Sequence, residues 1–510
     1  MSLESRPIGE LLRHRASFDP AYAYCLFEGE RVTIGALHDS VERLARGLYA
    51  KGYRKGDRIA LMLANHPDHI RTIFACARLG LVWIPVNIHL KGAALEFLFT
   101  QADPRGVVGE ADYRGYFADL LRPDHLQTWR DGDGFAGLLG TAVGAEILEA
   151  PGIDDLFCIS FTSGTTGVPK AAMLSHRSFL WSVEGGMLLA DIVHGDVLFH
   201  WEPLYHIAGA QMMVAALVKP LTLGMVPRFS ASRFWAKVRE FGATHIHYIG
   251  GVLQILLKQP PDPADSQHKV RIAFGGGCPK EIWRTFEERF SVRIREAYGI
   301  SEVSSFVTIN TAEKLGSIGM AVPFLEVVLE DEAGNVPPVG EVGEIVTRER
   351  QPGVMFSGYF RNEEATRAAF KDGWFHTGDL ARADEEGFLY FQGRKKDMIR
   401  RRGENISAWE VERVLNQHPA VEESAVIGVP DGIGDEDLKA FIRVAVGHEL
   451  DIGELMQWSV SRLPYFQIPR FVAMVTDFPR TPSQRIKKQD LPRSTGECWD
   501  AERPGSANRG

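Results

Sequence analysis

The sequence predicts an α/β protein: a large N-terminal domain of layered α/β subdomains followed by a small α+β domain. Three observations carry this. Helix-type and strand-type hydrophobic patterns alternate from Thr33 to Val86, and the alternation returns from Leu156 to about Arg295. After Gly393 the texture changes to a polar, basic run followed by a shorter set of elements. Alternating helices and strands imply a mostly parallel sheet covered by its crossover helices.

Between Thr33 and Ala50, Leu37, Val41, Leu44 and Leu48 fall on one helical face, and Gly52 follows as a stop. Arg58–Leu63 reads as a strand, Pro67–Arg78 as a helix ending at Gly80, and Leu81–Val86 as a buried strand. No repeat of fixed period and no low-complexity segment interrupts the chain. Beyond Arg394-Lys-Lys-Asp-Met-Ile-Arg-Arg-Arg402, a helix is expected over Ala408–Leu415, with Val411, Val414 and Leu415 inward. Strands near Ala425–Val429 and Leu438–Val446, a helix around Gly453–Leu463 and a strand at Phe471–Val475 complete the small unit. The expected division is 1–393 for the large domain, 394–397 for the connection, 398–492 for the small domain, and a disordered tail over 493–510.

The 510 residues are 45% hydrophobic and 24% charged, ordinary globular usage that excludes wholesale disorder and fibrous structure. Lys+Arg 57 against Asp+Glu 66 leaves a net charge of −9, which offers no footprint for nucleic acid. Cys25, Cys76, Cys158, Cys278 and Cys498 are scattered without a Cys-x-x-Cys pair, so neither a disulfide framework nor a thiolate zinc site is expected. The first residues lack the basic-then-apolar order of a signal peptide. The longest apolar stretch, Met212 to Val226, is broken by Lys219 and Pro220 and is too short to span a bilayer. A soluble, cytoplasmic protein is the expectation.

Four segments have the composition of ligand sites. Phe161-Thr-Ser-Gly-Thr-Thr-Gly-Val-Pro-Lys170 packs Gly164, Gly167 and the hydroxyls of Thr162, Ser163, Thr165 and Thr166 into one short loop, ending on Lys170. Flexible backbone N–H groups and small donors suit phosphate oxygens, although the spacing is not that of a Walker loop. Gly275-Gly276-Gly277 permits close backbone approach to a flat ligand, and Ala297-Tyr-Gly-Ile-Ser-Glu302 adds a ring at Tyr298 and a carboxylate at Glu302 suited to Mg²⁺. Gly373-Trp-Phe-His-Thr-Gly-Asp-Leu380, with Gly393-Arg394, places Asp379 and Arg394 where a ribose would need an acceptor and a donor. Taken singly, each segment also suits an ordinary polar turn.

Their joint order resembles the adenylate-forming superfamily of acyl-CoA synthetases, peptide-synthetase adenylation domains and luciferases, from about Thr33 through Leu491. Arg401-Arg-Gly-Glu-Asn-Ile-Ser407 and Pro464-Tyr-Phe-Gln-Ile-Pro469 are most similar to the acyl-CoA ligases, the crotonobetaine/carnitine-CoA ligase branch in particular. The resemblance implies an ATP-dependent acid–CoA ligase that forms acyl-AMP, releases pyrophosphate and AMP, and uses Mg²⁺ and coenzyme A. It implies that Thr162–Lys170 hold the β- and γ-phosphates, and that Gly275, Gly276, Gly277 and Tyr298 (with Gly299 beside it) meet adenine. Ser301 then takes the α-phosphate, Glu302 the metal, and Asp379 and Arg394 the ribose. His206, in Pro203-Leu-Tyr-His-Ile-Ala-Gly209, matches the gate near the acyl carboxylate, with Tyr205–Gln211 and Tyr248–Gly251 as pocket walls. The small domain would be mobile about Lys396, with Gly403 on the pantetheine path and Arg400, Arg401 and Arg402 toward the CoA phosphates.

One position departs from the family pattern. The closing motif reads Arg480-Thr-Pro-Ser-Gln-Arg-Ile-Lys-Lys488, so Arg485 stands where the family carries lysine. Charge is kept, but shape and hydration differ. Two other readings therefore stay open at this stage: an acyl-AMP ligase loading a carrier protein, and a nucleotide- or acid-binding pseudo-enzyme. The sequence does not name the acid, and it leaves the oligomeric state open, a homodimer included.

Overall fold

The structure is a computed structural model that describes residues 6–131, 133–140, 150–162, 169–303, 305–401, 404–431, 436–480 and 486–502. It divides into two compact units. The first takes most of the chain through Val327, plus Thr347–Phe375; the second takes Val328–Val346 and His376 onward. The basic segment 394–397 lies within the second unit.

Two sheets build the first unit. One has nine strands, and six of them run parallel at its centre: Ala23–Phe27, Leu221–Met225, Asp196–His200, His245–Ile249, Ile272–Gly276 and Arg293–Ile300. The other has six strands, Leu126–Trp129, Gly106–Gly109, Arg58–Met62, Val82–Pro85, Leu156–Thr162 and Lys170–Ser175, all parallel except the last. The α/β expectation holds, and the reason is visible in the elements. Thr33 accepts a hydrogen bond from the Ala36 amide to start the helix Ile34–Ala50, which buries Leu37, Val41, Leu44 and Leu48. Pro67 opens the helix Pro67–Leu79, and Gly80, at φ +68°, ends it in the left-handed region. The strands between such helices read as near-continuous apolar runs because both faces are covered.

A five-stranded sheet of Leu325–Glu330, Val342–Glu349, Phe370–Lys371, Trp374–Ala383 and Leu389–Arg394 contributes residues to both units. The second unit adds the helix Ala408–Leu415 and a four-stranded sheet of Val421–Pro430, Glu436–Val444, Phe471–Met474 and Trp499–Asp500. That last strand corrects one expectation. Residues 493–502 are not a free tail: Trp499 packs on the core of the unit, and Asp500 pairs with Arg470 at 3.2 Å. Among the described residues no helix is long and apolar enough to cross a membrane.

Candidate active site

Thr162 and Lys170 are register partners in an antiparallel pair, so the flanks of the hydroxyl- and glycine-rich segment stand side by side. Ser163, Gly164, Thr165, Thr166 and Gly167 lie outside the described residues. The Lys170 ammonium sits 4.9 Å from the centre of the Tyr359 ring, a cation–π contact. Tyr359 in turn donates its hydroxyl to Glu302 Oε1 at 2.7 Å. Burial, together with the neighbouring Glu302 charge, pushes the Tyr359 phenol up, so it stays a donor.

Tyr359 reaches this place because the chain around it adds to the edge of Lys170–Ser175. Ser357 N donates to Met173 O at 2.8 Å, and Phe360 N donates to Ala171 O at 2.8 Å. Glu302 is fixed from the other side, where its carbonyl accepts from Phe356 N at 2.7 Å. A lysine and a carboxylate from distant motifs thus meet on one tyrosine. Among the described residues no group of three His, Cys, Asp or Glu side chains is placed to hold a metal.

The glycine segment is bound by sterics. A Cβ on Gly275 would stand 1.8 Å from the Tyr248 carbonyl oxygen, and Gly277 turns at φ +97°. Below it Glu296 is buried and accepts from Tyr248 Oη at 2.7 Å, from Cys278 N at 2.9 Å, and from Gly277 N. Burial raises its pKa to about 7 against the pull of those donors. Tyr298, on the strand Arg293–Ile300, is largely covered; Gly299 is exposed, and Ser301 and Glu302 follow in the short turn Ser301–Val303.

His206 is the N-cap of the helix Ile207–Val218, and its ring meets Tyr205 edge-on at 4.9 Å. Both are half-buried, and burial, with Tyr113 nearby, pushes the Tyr205 phenol up to about 12. Of the expected pocket walls, Tyr248 is buried while Ile249, Gly250 and Gly251 are exposed.

In the second unit Asp379 and Arg394 face each other in register, Arg394 Nε 3.1 Å from Asp379 Oδ1, with the aspartate buried. Glu344, which the sequence reading missed, organises this motif. It accepts from Gly378 N at 2.9 Å and from Lys395 Nζ at 3.1 Å, and lies 3.3 Å from His376. Burial works against its charge, yet the amide, the lysine and the histidine outweigh it and hold the carboxyl below its ordinary value.

The arginine run separates into different fates. Arg400 is exposed. Arg401 is only 7% exposed, pairs with Asp437 at 2.9 Å and donates to the carbonyls of Phe466 and Ile468. Its expected place on the CoA phosphates is therefore corrected: the guanidinium is consumed inside its own unit. Arg402 and Gly403 lie outside the described residues, as does Arg485. Lys396 is exposed in the turn Lys395–Asp397. Lys488 is an ion-pair partner of half-buried Glu412 at 2.7 Å and of Asp397 at 3.7 Å. A further cleft in the first unit has Phe199, Phe234 and Phe241 beneath a rim of Arg228, Arg233 and Lys237.

Comparison with known proteins gives this geometry its family. The family described as AMP-binding enzyme matches residues 12–360, and its C-terminal domain matches residues 410–485. The crotonobetaine/carnitine–CoA ligase of Escherichia coli O8 is 30% identical over 474 residues, covering 89% of this chain and 92% of its own. A feruloyl-CoA synthase of an Amycolatopsis species is 31% identical, covering 97% and 100%. The Bacillus subtilis o-succinylbenzoate CoA synthetase in complex with its acyl-adenylate intermediate superposes with a TM-score of 0.86 at 26% identity, covering 97% and 100%. With the Lys170–Tyr359–Glu302 group and the Asp379–Arg394 pair in place, the chain belongs to the AMP-binding enzyme family and is an AMP-forming acid–CoA ligase that uses ATP, Mg²⁺ and coenzyme A.

Proposed function

We propose that the chain joins an organic carboxylic acid to coenzyme A by the two successive steps of its family, with the residue roles that follow. The observation that carries the assignment is the meeting of Lys170 and Glu302 on Tyr359, which brings the phosphate-type segment and the metal-type carboxylate into one place. In the first step a carboxylate oxygen of the acid attacks the α-phosphorus of ATP and pyrophosphate leaves. Both reactants are anions, so fixed cations and N–H dipoles must stand where charge builds. Lys170 and the amides of Ser163–Gly167 meet the β- and γ-phosphates, Ser301 the α-phosphate, and Gly275–Gly277 with Tyr298 the adenine. Asp379 accepts from the ribose hydroxyls while Arg394 holds the aspartate in place. Glu302 would hold Mg²⁺, which when bound neutralises phosphate charge.

In the second step the CoA thiolate attacks the acyl carbon and AMP leaves. His206 and Tyr205 stand beside the acyl carboxylate. Arg400, Arg402 and Gly403 serve the CoA chain. The small domain of residues 398–492 reorients about Lys396 between the steps. The five cysteines are free thiols, which supports a reducing, cytoplasmic setting.

Arg485 is assigned to the first step. A guanidinium stays charged at any working pH and can grip the acid carboxylate and the α-phosphate in one fork. The test compares Arg485→Ala with Arg485→Lys, assayed for acyl-AMP formation and, separately, for thioester formation from supplied acyl-AMP. Alanine is expected to cripple the first assay and spare the second, with lysine retaining measurable first-step activity. Loss of both steps to the same extent would remove Arg485 from this role. Gain of adenylation by the lysine variant alone would favour the pseudo-enzyme.

A further inference from the structure

The loop that carries His206 is held by a residue far from it in sequence. Asn65 follows the strand Arg58–Met62 and is 4% exposed. Its Nδ2 donates to Glu202 O at 2.9 Å and to Trp201 O at 3.3 Å, and lies 3.4 Å from Val226 O. Its Oδ1 accepts from Leu204 N at 2.9 Å. One carboxamide therefore binds both a carbonyl before Pro203 and the amide after it. No other neutral side chain of this size offers two N–H donors and a carbonyl acceptor in one plane.

The same turn is pinned from below. Glu202 and His247 are both buried, with Oε2 and Nδ1 2.8 Å apart, and Trp201 Nε1 donates to the His247 carbonyl at 2.8 Å. Pro203 then closes the turn, its carbonyl accepting from His206 N at 2.9 Å. The position of the His206 ring is thus set by a turn in which Trp201, Glu202 and Leu204 are fixed to the Asn65 side chain, the first two also to the strand His245–Ile249.

We propose that Asn65 is a positioning residue for the acid site, acting through the Trp201–Leu204 turn on Tyr205 and His206. The inference rests on the reading of His206 as a neighbour of the acyl carboxylate. It extends that reading to a residue that touches neither substrate. Near-attack geometry is sensitive to displacements of about 1 Å, so loosening this turn impairs the acid's approach and leaves the ATP contacts intact.

The test uses Asn65→Asp, which keeps the acceptor for Leu204 N and loses the donors to the carbonyls, assayed by acid-dependent pyrophosphate exchange. The expected result is a rise of about tenfold in KM for the acid, with KM for ATP within twofold, since neither constant depends on the folded fraction that a buried carboxylate facing three carbonyls lowers. Equal change in both KM values, or lower activity with both KM values unchanged, would overturn the proposal. In the His206→Ala background the Asn65→Asp effect is expected to vanish, and full additivity would contradict action through the turn. If His206→Ala alone leaves the acid KM unchanged while Asn65→Asp still raises it, the reading of His206 fails and the role of Asn65 stands through Tyr205. A measurement on the unmutated protein needs no variant: hydrogen exchange at the Leu204 amide is expected to be as slow as in the central strands, and rapid exchange would overturn the bracket.

Discussion

Tyr359 carries two contacts of different kinds, a cation–π contact to Lys170 and a hydroxyl bond to Glu302. Removing the hydroxyl in Tyr359→Phe keeps the ring under Lys170 and frees the carboxylate. Adenylation should fall about tenfold, as expected when a partner that orients a metal-holding group is lost. Glu302→Gln removes the charge itself and should depress pyrophosphate exchange by roughly 100-fold or more even at saturating Mg²⁺. Unchanged exchange in the glutamine variant would remove Glu302 from the metal. At this scale the sequence singles out Glu302, Asp379 and Arg394 because each sits in a short motif of small residues, and the structure sets Asp379 against Arg394 and Glu302 against Tyr359. It could not find Tyr359, Glu344 or Asn65, whose partners lie tens to hundreds of residues away and leave no local pattern. Arg401 shows the converse: a basic run reads as one solvated face, and only packing reveals that its middle member belongs to Asp437.

Single elements were legible where local chemistry alone decides them. Helices with a cap and a stop, such as Ile34–Ala50 and Pro67–Leu79, follow from spacing, Thr33, Pro67 and Gly80. Ala408–Leu415 follows from its three apolar positions. The strand Trp499–Asp500 was not legible, since two residues of strand gain their stability from pairing with Phe471–Met474 and from the Arg470 ion pair. The element with a prediction of its own is the turn Lys395–Asp397, where Lys395 is tied to Glu344 and Asp397 to Lys488. Proline at Lys396 fixes φ near −65° and removes a donor. Lys396→Pro should leave adenylation within a few-fold of the unmutated protein and lower thioester formation from supplied acyl-AMP sharply. Equal losses in both half-reactions would argue against reorientation about this residue.

At the scale of the whole molecule, four of the buried histidines of the first unit are held neutral far below the ordinary imidazole range. Burial lowers the pKa of His69 and His176 to about 3, and of His200 and His245 to about 4. Above pH ~6.5 both folded and unfolded chains carry neutral imidazoles, so this contribution to stability is complete. As pH falls below that value the unfolded chain takes protons that the native chain refuses, at about 1.4 kcal/mol per pH unit for each group. Glu296, raised to about 7, acts with the opposite sign, its contribution being lost as pH rises from ~4.5 through 7, and Glu184 and Glu412, also raised by burial, act the same way; below pH ~4.5 these contributions are complete and the histidines set the slope. The unfolding midpoint should therefore be level above pH ~6.5 and drop steeply toward pH 4, and His176→Phe should flatten the acid limb. A midpoint that rises on acidification would contradict the burial of these rings.

Acid, ATP and coenzyme A react here through an enzyme-bound acyl-adenylate. The most direct measurement mixes the purified protein with ATP, Mg²⁺ and a panel of carboxylic acids that includes cinnamic-type and betaine-type members, and follows AMP, ADP, pyrophosphate and CoA thioester together. For the true substrate this route predicts acid-dependent pyrophosphate release without coenzyme A, limited to about one turnover, then continuous formation of AMP and thioester in equal amounts once coenzyme A is added. Formation of ADP and phosphate instead, or ATP binding with no AMP from any acid in the panel, would contradict it.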